Sequence, residues 1–284
     1  NKDNYFLFLP NHKNALMNIS ILGCGWLGFP LAKYLMDEGY LVRGSSTKKD
    51  KLDMLGNHGI IPYKIELMPE YKGENDFLNS EILVINFPPP RNRNDIETYL
   101  KAQIDSLMKK LSHSPVHRVL FVSSTSVYPP LNREVYESDA QHPARDAGRA
   151  LLLAEQMLKE NPQFKTTIIR FGGLIGYGRN PGRFLAGRKN LRNGDAPVNL
   201  IHRDDCVAII SRIIEKDKWG EVYNACTDAH PTRREFYTEA AKNAGLSLPD
   251  FNDSSELSFK LVNSDKLKSD LNYRFHYPDP MQCI

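Results

Sequence analysis

Asn18-Ile19-Ser20-Ile21-Leu22-Gly23-Cys24-Gly25-Trp26-Leu27-Gly28 decides how the rest of this chain is read. Its first five residues are the short, mostly apolar run of a buried strand. Three glycines follow at the spacing G-x-G-x-x-G. Beyond them, Phe29 to Glu38 carries Leu31 and Leu35 at helical spacing and stops at Gly39. In such a strand-turn-helix unit Gly23 permits the tight turn, and Gly25 lets the backbone approach a pyrophosphate. Gly28 lets helix and strand pack closely, and the phosphates rest on the helix N-terminus. The flanking strand and helix make this a dinucleotide site rather than a chance match. Trp26 and Leu27, inside the loop, join the glycines as expected cofactor contacts.

Outward from this unit, strands and helices alternate. Tyr40 to Gly44, Ile82 to Asn86, Val119 to Ser123, Thr166 to Arg170 and Val222 to Ala225 read as strands. Ile96, Tyr99, Leu100, Ile104, Leu107, Met108 and Leu111 mark one face of a long helix. Such alternation predicts an α/β fold with a doubly wound parallel Rossmann sheet. From Gly172 to Arg192 glycine, proline and arginine accumulate, as in loops over a cleft. Thr232-Arg233-Arg234-Glu235 is a capping box that opens a helix. The expected organisation is a Rossmann domain over 17–175 and a smaller C-terminal substrate lobe over 176–284, with a late sheet strand near 222–225. Residues 1–16, whose patch Tyr5-Phe6-Leu7-Phe8-Leu9 is cut off by Pro10, lack the pattern of a signal peptide. They are expected to be an extension, disordered or non-native.

The end of the second strand bears on cofactor choice. An NAD enzyme places Asp or Glu about 20 residues past the glycine loop to hold the ribose 2′-hydroxyl. This chain has Arg43-Gly44-Ser45-Ser46-Thr47-Lys48-Lys49 there, and Asp50 falls too late. Ser46, Thr47 and Lys48 suit a 2′-phosphate, so NADP is expected, with NAD possible as the alternative.

Composition narrows the partners. With 284 residues, 41% hydrophobic and 25% charged, the chain has the make-up of an ordinary soluble globule. A net charge of +3 gives no support to nucleic-acid binding. No apolar run approaches the ~20 residues of a membrane span. The four cysteines, Cys24, Cys206, Cys226 and Cys283, form no C-x-x-C pair, which argues against zinc or a disulfide framework and for a reducing cytoplasm. No metal site is expected, and the chain is read as a monomer or homodimer.

Several further segments carry a family resemblance from Met17 to Pro280. Ser123-Ser124-Thr125-Ser126-Val127-Tyr128, Arg170-Phe171-Gly172-Gly173-Leu174-Ile175-Gly176 and His202-Arg203-Asp204-Asp205-Cys206-Val207-Ala208 resemble the extended short-chain dehydrogenases of the nucleotide-sugar epimerase kind. Gly25-Trp26-Leu27-Gly28 and Gly178-Arg179-Asn180-Pro181-Gly182-Arg183-Phe184 resemble, more narrowly, the atypical YeeZ-like branch. The resemblance implies that Ser124 is the catalytic Ser/Thr that hydrogen-bonds the reacting oxygen. Phe87 and Ser123 are added to the expected cofactor contacts.

The family's Tyr-x-x-x-Lys should stand on the next helix. There Pro143 to Glu155 keeps the family's proline-to-glutamate spacing, and the register gives Ala147 and Leu151. A free tyrosine has a pKa of about 10, so only about one in a thousand is ionised at pH 7; the family's lysine corrects this. Arg149 lies about 200° around the helix from Ala147 and is a poor substitute. Tyr128 is the first candidate for a replacement acid, ahead of Tyr177 and His142, while His202 suits a structural helix start. Tyr177, Arg179 and Arg183, with Arg188, Lys189 and Arg192 nearby, are the expected substrate side, and guanidinium forks there point to a small anionic or nucleotide-linked substrate. Arg91 and Arg93 border either the cofactor or solvent. Two functions remain open: an atypical NAD(P)-dependent oxidoreductase or epimerase, and a non-catalytic NADP(H)-binding redox sensor or scaffold.

Overall fold

The computed structural model describes residues 17–90, 93–252 and 256–284. The expectations for residues 1–16 and for Arg91 therefore lie outside the described residues. The first half of the chain runs β1 (Asn18–Leu22), α1 (Gly28–Asp37), β2 (Leu41–Ser45), α2 (Lys49–Asn57), β3 (Ile61–Tyr63), β4 (Ile82–Ile85), α3 (Ile96–Leu111) and β5 (Arg118–Ser124). It continues with β6 (Glu134–Val135), α4 (Asp146–Lys159), β7 (Lys165–Phe171), β8 (Gly173–Ile175), α5 (Gly182–Leu185) and β9 (Leu200–His202). The last elements are α6 (Arg203–Glu215), β10 (Val222–Ala225), α7 (Arg233–Asn243), β11 (Leu261–Val262) and α8 (Asp265–Leu271).

Seven strands form one sheet in the order β10-β7-β5-β4-β1-β2-β3, and every pairing is parallel. This is the doubly wound Rossmann arrangement. The run Ile82-Leu83-Val84-Ile85 shows why: all four residues are fully buried, because both faces of the sheet are covered. Period-two alternation sends Ile82 and Val84 into the core under α1, α2 and α6, and Leu83 and Ile85 into the core under α3 and α4. Strand order reverses between β1 and β4, which opens a crevice beyond their carboxyl ends.

Two elements of this half were not legible as such. β3 is three residues long with Pro62 at its centre, tolerated because it is the edge strand. α2 buries only Leu55, so it has almost no apolar stripe. Beyond residue 175 the chain divides. α6 packs on α1 and β10 extends the sheet, whereas β8 pairs with β9 and α5 packs on α7 to build the lobe. Ile175, Val198, Leu200 and Phe236 form the lobe's small core. Its helix α7 opens on the capping box: Thr232 Oγ1 accepts from the Glu235 N–H at 3.2 Å, and the Glu235 carboxylate accepts from the Thr232 N–H at 2.9 Å.

Candidate functional site

The glycine loop is built by three separate constraints. Gly23 has φ +107°, and a Cβ there would stand 2.6 Å from the Asn86 carbonyl oxygen. A Cβ on Gly28 would overlap the Gly23 carbonyl oxygen. Gly25 differs: among the described residues, nothing lies within 4 Å of where its Cβ would be. Protein packing thus explains two glycines and leaves open space at the third. Ser45 fastens the loop, its Oγ accepting from the Gly23 N–H at 3.0 Å and its carbonyl from the Cys24 N–H at 2.8 Å. Asn86 Nδ2 donates to the Gly23 carbonyl at 3.0 Å from the other side. α1 then begins with no side-chain cap and no acidic residue in its first turn, which leaves its dipole free for an anion.

A cleft of about 500 Å³ lies against this loop, at the β1–β4 reversal. Of the expected cofactor residues, Gly23, Gly25, Ser46, Thr47 and Phe87 line it. Gly28 and Leu27 are buried beneath, and Trp26 and Lys48 are not among its walls. Among the described residues the cation on the wall is Lys51 instead, from the first turn of α2. With α2 unrecognised, the helical turn that brings Lys51 round to the cleft could not be foreseen. Arg43 is buried, its Nη1 donating to Asn18 Oδ1 at 3.0 Å and its Nε lying 3.8 Å from Asp76.

At the end of β5 the two serines part company, as alternation requires. Ser123, expected at the cofactor, turns inward and donates to Glu155 at 2.5 Å. Glu155 accepts from Arg170 Nη2 at 2.6 Å, and Arg170 Nη1 donates to the Tyr128 hydroxyl at 2.7 Å. That hydroxyl donates to Asn224 Oδ1 at 2.5 Å. Tyr128 is 2% exposed, and burial pushes its pKa above the ordinary range against the opposing pull of Arg170. The expectations for Ser123 and Tyr128 are corrected accordingly: both belong to a buried polar network joining β5, α4, β7 and β10, and neither presents its hydroxyl to the cleft. Ser124 stays half-buried. Its Oγ accepts from the Ser126 N–H at 3.1 Å, and among the described residues its own O–H donates to none.

The face of α4 is apolar where Ala147 and Leu151 stand. Leu151 is 4% exposed and packed in the core under α3 and α4. Arg149 points elsewhere, to Glu97 at 2.6 Å and to Asp146.

The fold does bring together residues expected at the cofactor and at the substrate. The Trp26 indole N–H donates to the Tyr177 carbonyl at 2.7 Å, and the Arg179 guanidinium stacks 4.1 Å over the Trp26 ring. Tyr177 donates to Asp204 at 2.7 Å, and that bond pushes its pKa up to about 12. His202 caps α6, accepting from the Asp204 N–H at 3.3 Å, and burial lowers its pKa. Arg183 is not drawn in; it lies exposed on α5, as Arg188, Lys189 and Arg192 lie exposed beyond it. His142 is exposed with φ 50°. Arg93 stacks 4.1 Å over Tyr99, a cleft residue, and pairs with Asp95. One residue had no local signal at all. Lys260 Nζ donates to the Tyr128 carbonyl at 2.7 Å, closing on the Ser124 turn from far along the chain.

A doubly wound sheet with a fingerprint glycine loop at its switch point defines a dinucleotide-binding α/β protein. More narrowly, the chain belongs to the NAD dependent epimerase/dehydratase family, whose model matches residues 19–226. It is similar to protein YeeZ of Escherichia coli (strain K12), with 35% identity over 271 residues, 94% of this chain and 98% of YeeZ. Among solved structures it resembles a functionally unknown conserved protein from Silicibacter pomeroyi DSS, with TM-score 0.73, 24% identity and 94% and 96% of the two chains covered. It also resembles MoeE5, solved in complex with UDP-glucuronic acid and NAD, with TM-score 0.75, 18% identity and 94% and 97% covered. Those two likenesses speak to the fold alone.

Proposed function

We propose that the chain binds NADP(H) in the cleft beside β1. It would act as an atypical oxidoreductase or epimerase on a small anionic or nucleotide-linked substrate, without the Tyr-x-x-x-Lys pair. Gly25 carries this reading: the space beside it is open, while the glycines on either side are demanded by the protein's own packing. A dinucleotide's pyrophosphate needs backbone approach at that position and an uncapped helix start beyond it. Ser46, Thr47 and Lys51 on the cleft wall, with no Asp or Glu ending β2, favour a 2′-phosphate. Glu66, on the same cleft, is paired with Lys64 at 2.9 Å. The bound nicotinamide would supply a hydride acceptor or donor.

Ser124 would hold the reacting oxygen or nitrogen, because its O–H is uncommitted. With Ala147 and Leu151 where the pair should stand, and with the Tyr128 and Tyr177 hydroxyls engaged, proton transfer would rest on Ser124 and solvent. The same apolar face favours the second reading, a sensor or scaffold that binds NADP(H) without turnover. The unpaired thiols of Cys24, Cys206, Cys226 and Cys283 suit a reducing cytoplasm.

Fluorescence titration with NADPH and NADH tests the first part. NADPH should bind more tightly, and Lys51→Glu should weaken NADPH by about 10-fold or more while sparing NADH. Equal affinities in both proteins would overturn the 2′-phosphate assignment, and binding of neither would overturn the function. Ser124→Ala then separates the readings: turnover is lost in an enzyme, while cofactor affinity alone is left unchanged in a sensor.

A further inference from the structure

The turn that follows Ser124 is flanked by two cations, Lys260 and Arg145, that pair with no carboxylate among the described residues. Lys260 is held just ahead of β11, whose residues Leu261 and Val262 pair with Glu134 and Val135. Asn199 clamps it further, donating to the Lys260 carbonyl at 2.9 Å and accepting from the Val262 N–H at 2.8 Å. From this fixed base the ammonium reaches the Tyr128 carbonyl, at the far end of the turn that Ser124 caps. Arg145 stands on the other flank. It precedes α4 in extended backbone, and the first turn of α4 is so close to the Ser124 turn that a Cβ on Gly148 would overlap the Ser126 carbonyl oxygen. The Arg145 side chain is exposed, and among the described residues it makes no hydrogen bond or ion pair.

The neighbouring carboxylates are all engaged elsewhere. Asp146 holds Arg149, Glu155 holds Arg170, Glu137 accepts from the Asn224 N–H at 2.8 Å, and Glu134 accepts from Asn263 at 2.9 Å. By contrast Arg170, Lys266 and Lys268 each have an acidic partner within 2.9 Å. Burial first, and the charge of Arg145 after it, hold the Lys260 pKa down to about 8. A bound anion relieves both costs at once.

We propose that Lys260 and Arg145 form an oxyanion-binding subsite beside Ser124 that takes a phosphate or carboxylate group of the substrate. It rests on the reading of Ser124 as the substrate-side residue. It also moves the anion contact from the arginine-rich stretch of the lobe to two residues that are remote in sequence.

The test uses the full chain and acetylates it at pH 8 with an N-hydroxysuccinimide ester, following Lys260 by mass spectrometry against exposed Lys165 as an internal reference. Millimolar inorganic phosphate, or acetate in a parallel arm, is expected to slow modification of Lys260 several-fold and leave Lys165 unchanged. Protection by phosphate alone assigns a phosphoryl group, and protection by acetate as well assigns a carboxylate. Arg145→Gln should abolish the protection. No protection by either anion, or protection that persists in Arg145→Gln, overturns the proposal. Titration of the same proteins with NADPH keeps the two readings apart. Arg145→Gln should bind NADPH as the unmodified sequence does, and loss of NADPH binding in every protein would count against the cofactor site without touching the phosphate result.

Discussion

The carboxyl edge of the sheet is finished in two opposite ways. Around β1 and β2 the loops are pulled back: Ser45 and Asn86 hold the glycine turn open, and the space beside Gly25 is left to solvent. Around β5 and β7 the protein fills the edge with its own side chains. Ser123, Glu155, Arg170, Tyr128 and Asn224 form a closed polar network, and Leu151 is sunk into the core. The contrast shows how a binding half can be told from a structural half. A glycine that packing does not require marks room for a ligand, and a polar group whose bonds are all satisfied internally marks architecture.

Breaking the filled half should cost most. Glu155→Ala leaves the Arg170 guanidinium buried and unpaired, and about 3–5 kcal/mol of stability should be lost in urea unfolding. A loss under about 1 kcal/mol would mean that the network does not hold the filled half together. The open half gives a sharper contrast within one loop. Gly23→Ala meets both a left-handed φ and the Asn86 carbonyl, and should destabilise by about 2 kcal/mol or more, whereas Gly25→Ala should stay within about 0.5 kcal/mol. Equal effects at the two positions would erase the distinction drawn here. Trp26→Phe, which removes the bond to the Tyr177 carbonyl, should cost about 1 kcal/mol and loosen the contact between glycine loop and lobe.

A further effect concerns pH. The Lys260 pKa is depressed to about 8, first by burial and then by Arg145, with Cys226 opposing. Its unfolded value is near 10.4, so between those limits the unfolded chain binds more protons and stability from this site rises with pH. Below about pH 8 the full penalty of the charged amine is present. The difference in Tm between Lys260→Met and the unmodified sequence should therefore shift in favour of the unmodified sequence as pH climbs from 7 to 10. A difference independent of pH would show that Lys260 carries no such penalty.

Much of the open half was legible in the sequence, because its signals are local. The apolar run of β1, the glycine spacing and the helical repeat of α1 are contiguous, and each reports its own structure. β3 and α2 escaped because one is a three-residue edge strand around Pro62 and the other buries only Leu55. Lys51 was lost with α2. The filled half depends on direction rather than proximity. Ser123 and Ser124 are adjacent, yet alternation points them to opposite faces, and Tyr128, three residues past the turn's first residue, swings into the core to meet Arg170 and Asn224. Lys260 reaches the same turn only because β11 pairs with β6, a contact that no sequence window contains.

The most direct measurement of the central claim is the NADPH affinity of Gly25→Asp beside that of Gly25→Ala. The space at Gly25 is open to solvent, so both proteins should unfold within about 2 °C of the unmodified sequence. The carboxylate would meet the pyrophosphate's charge in the one place the loop leaves free. Gly25→Asp is expected to weaken NADPH by about 100-fold or more, with a much smaller effect from Gly25→Ala. Unchanged NADPH affinity in a stably folded Gly25→Asp would contradict the account, because the opening at Gly25 would then hold no pyrophosphate.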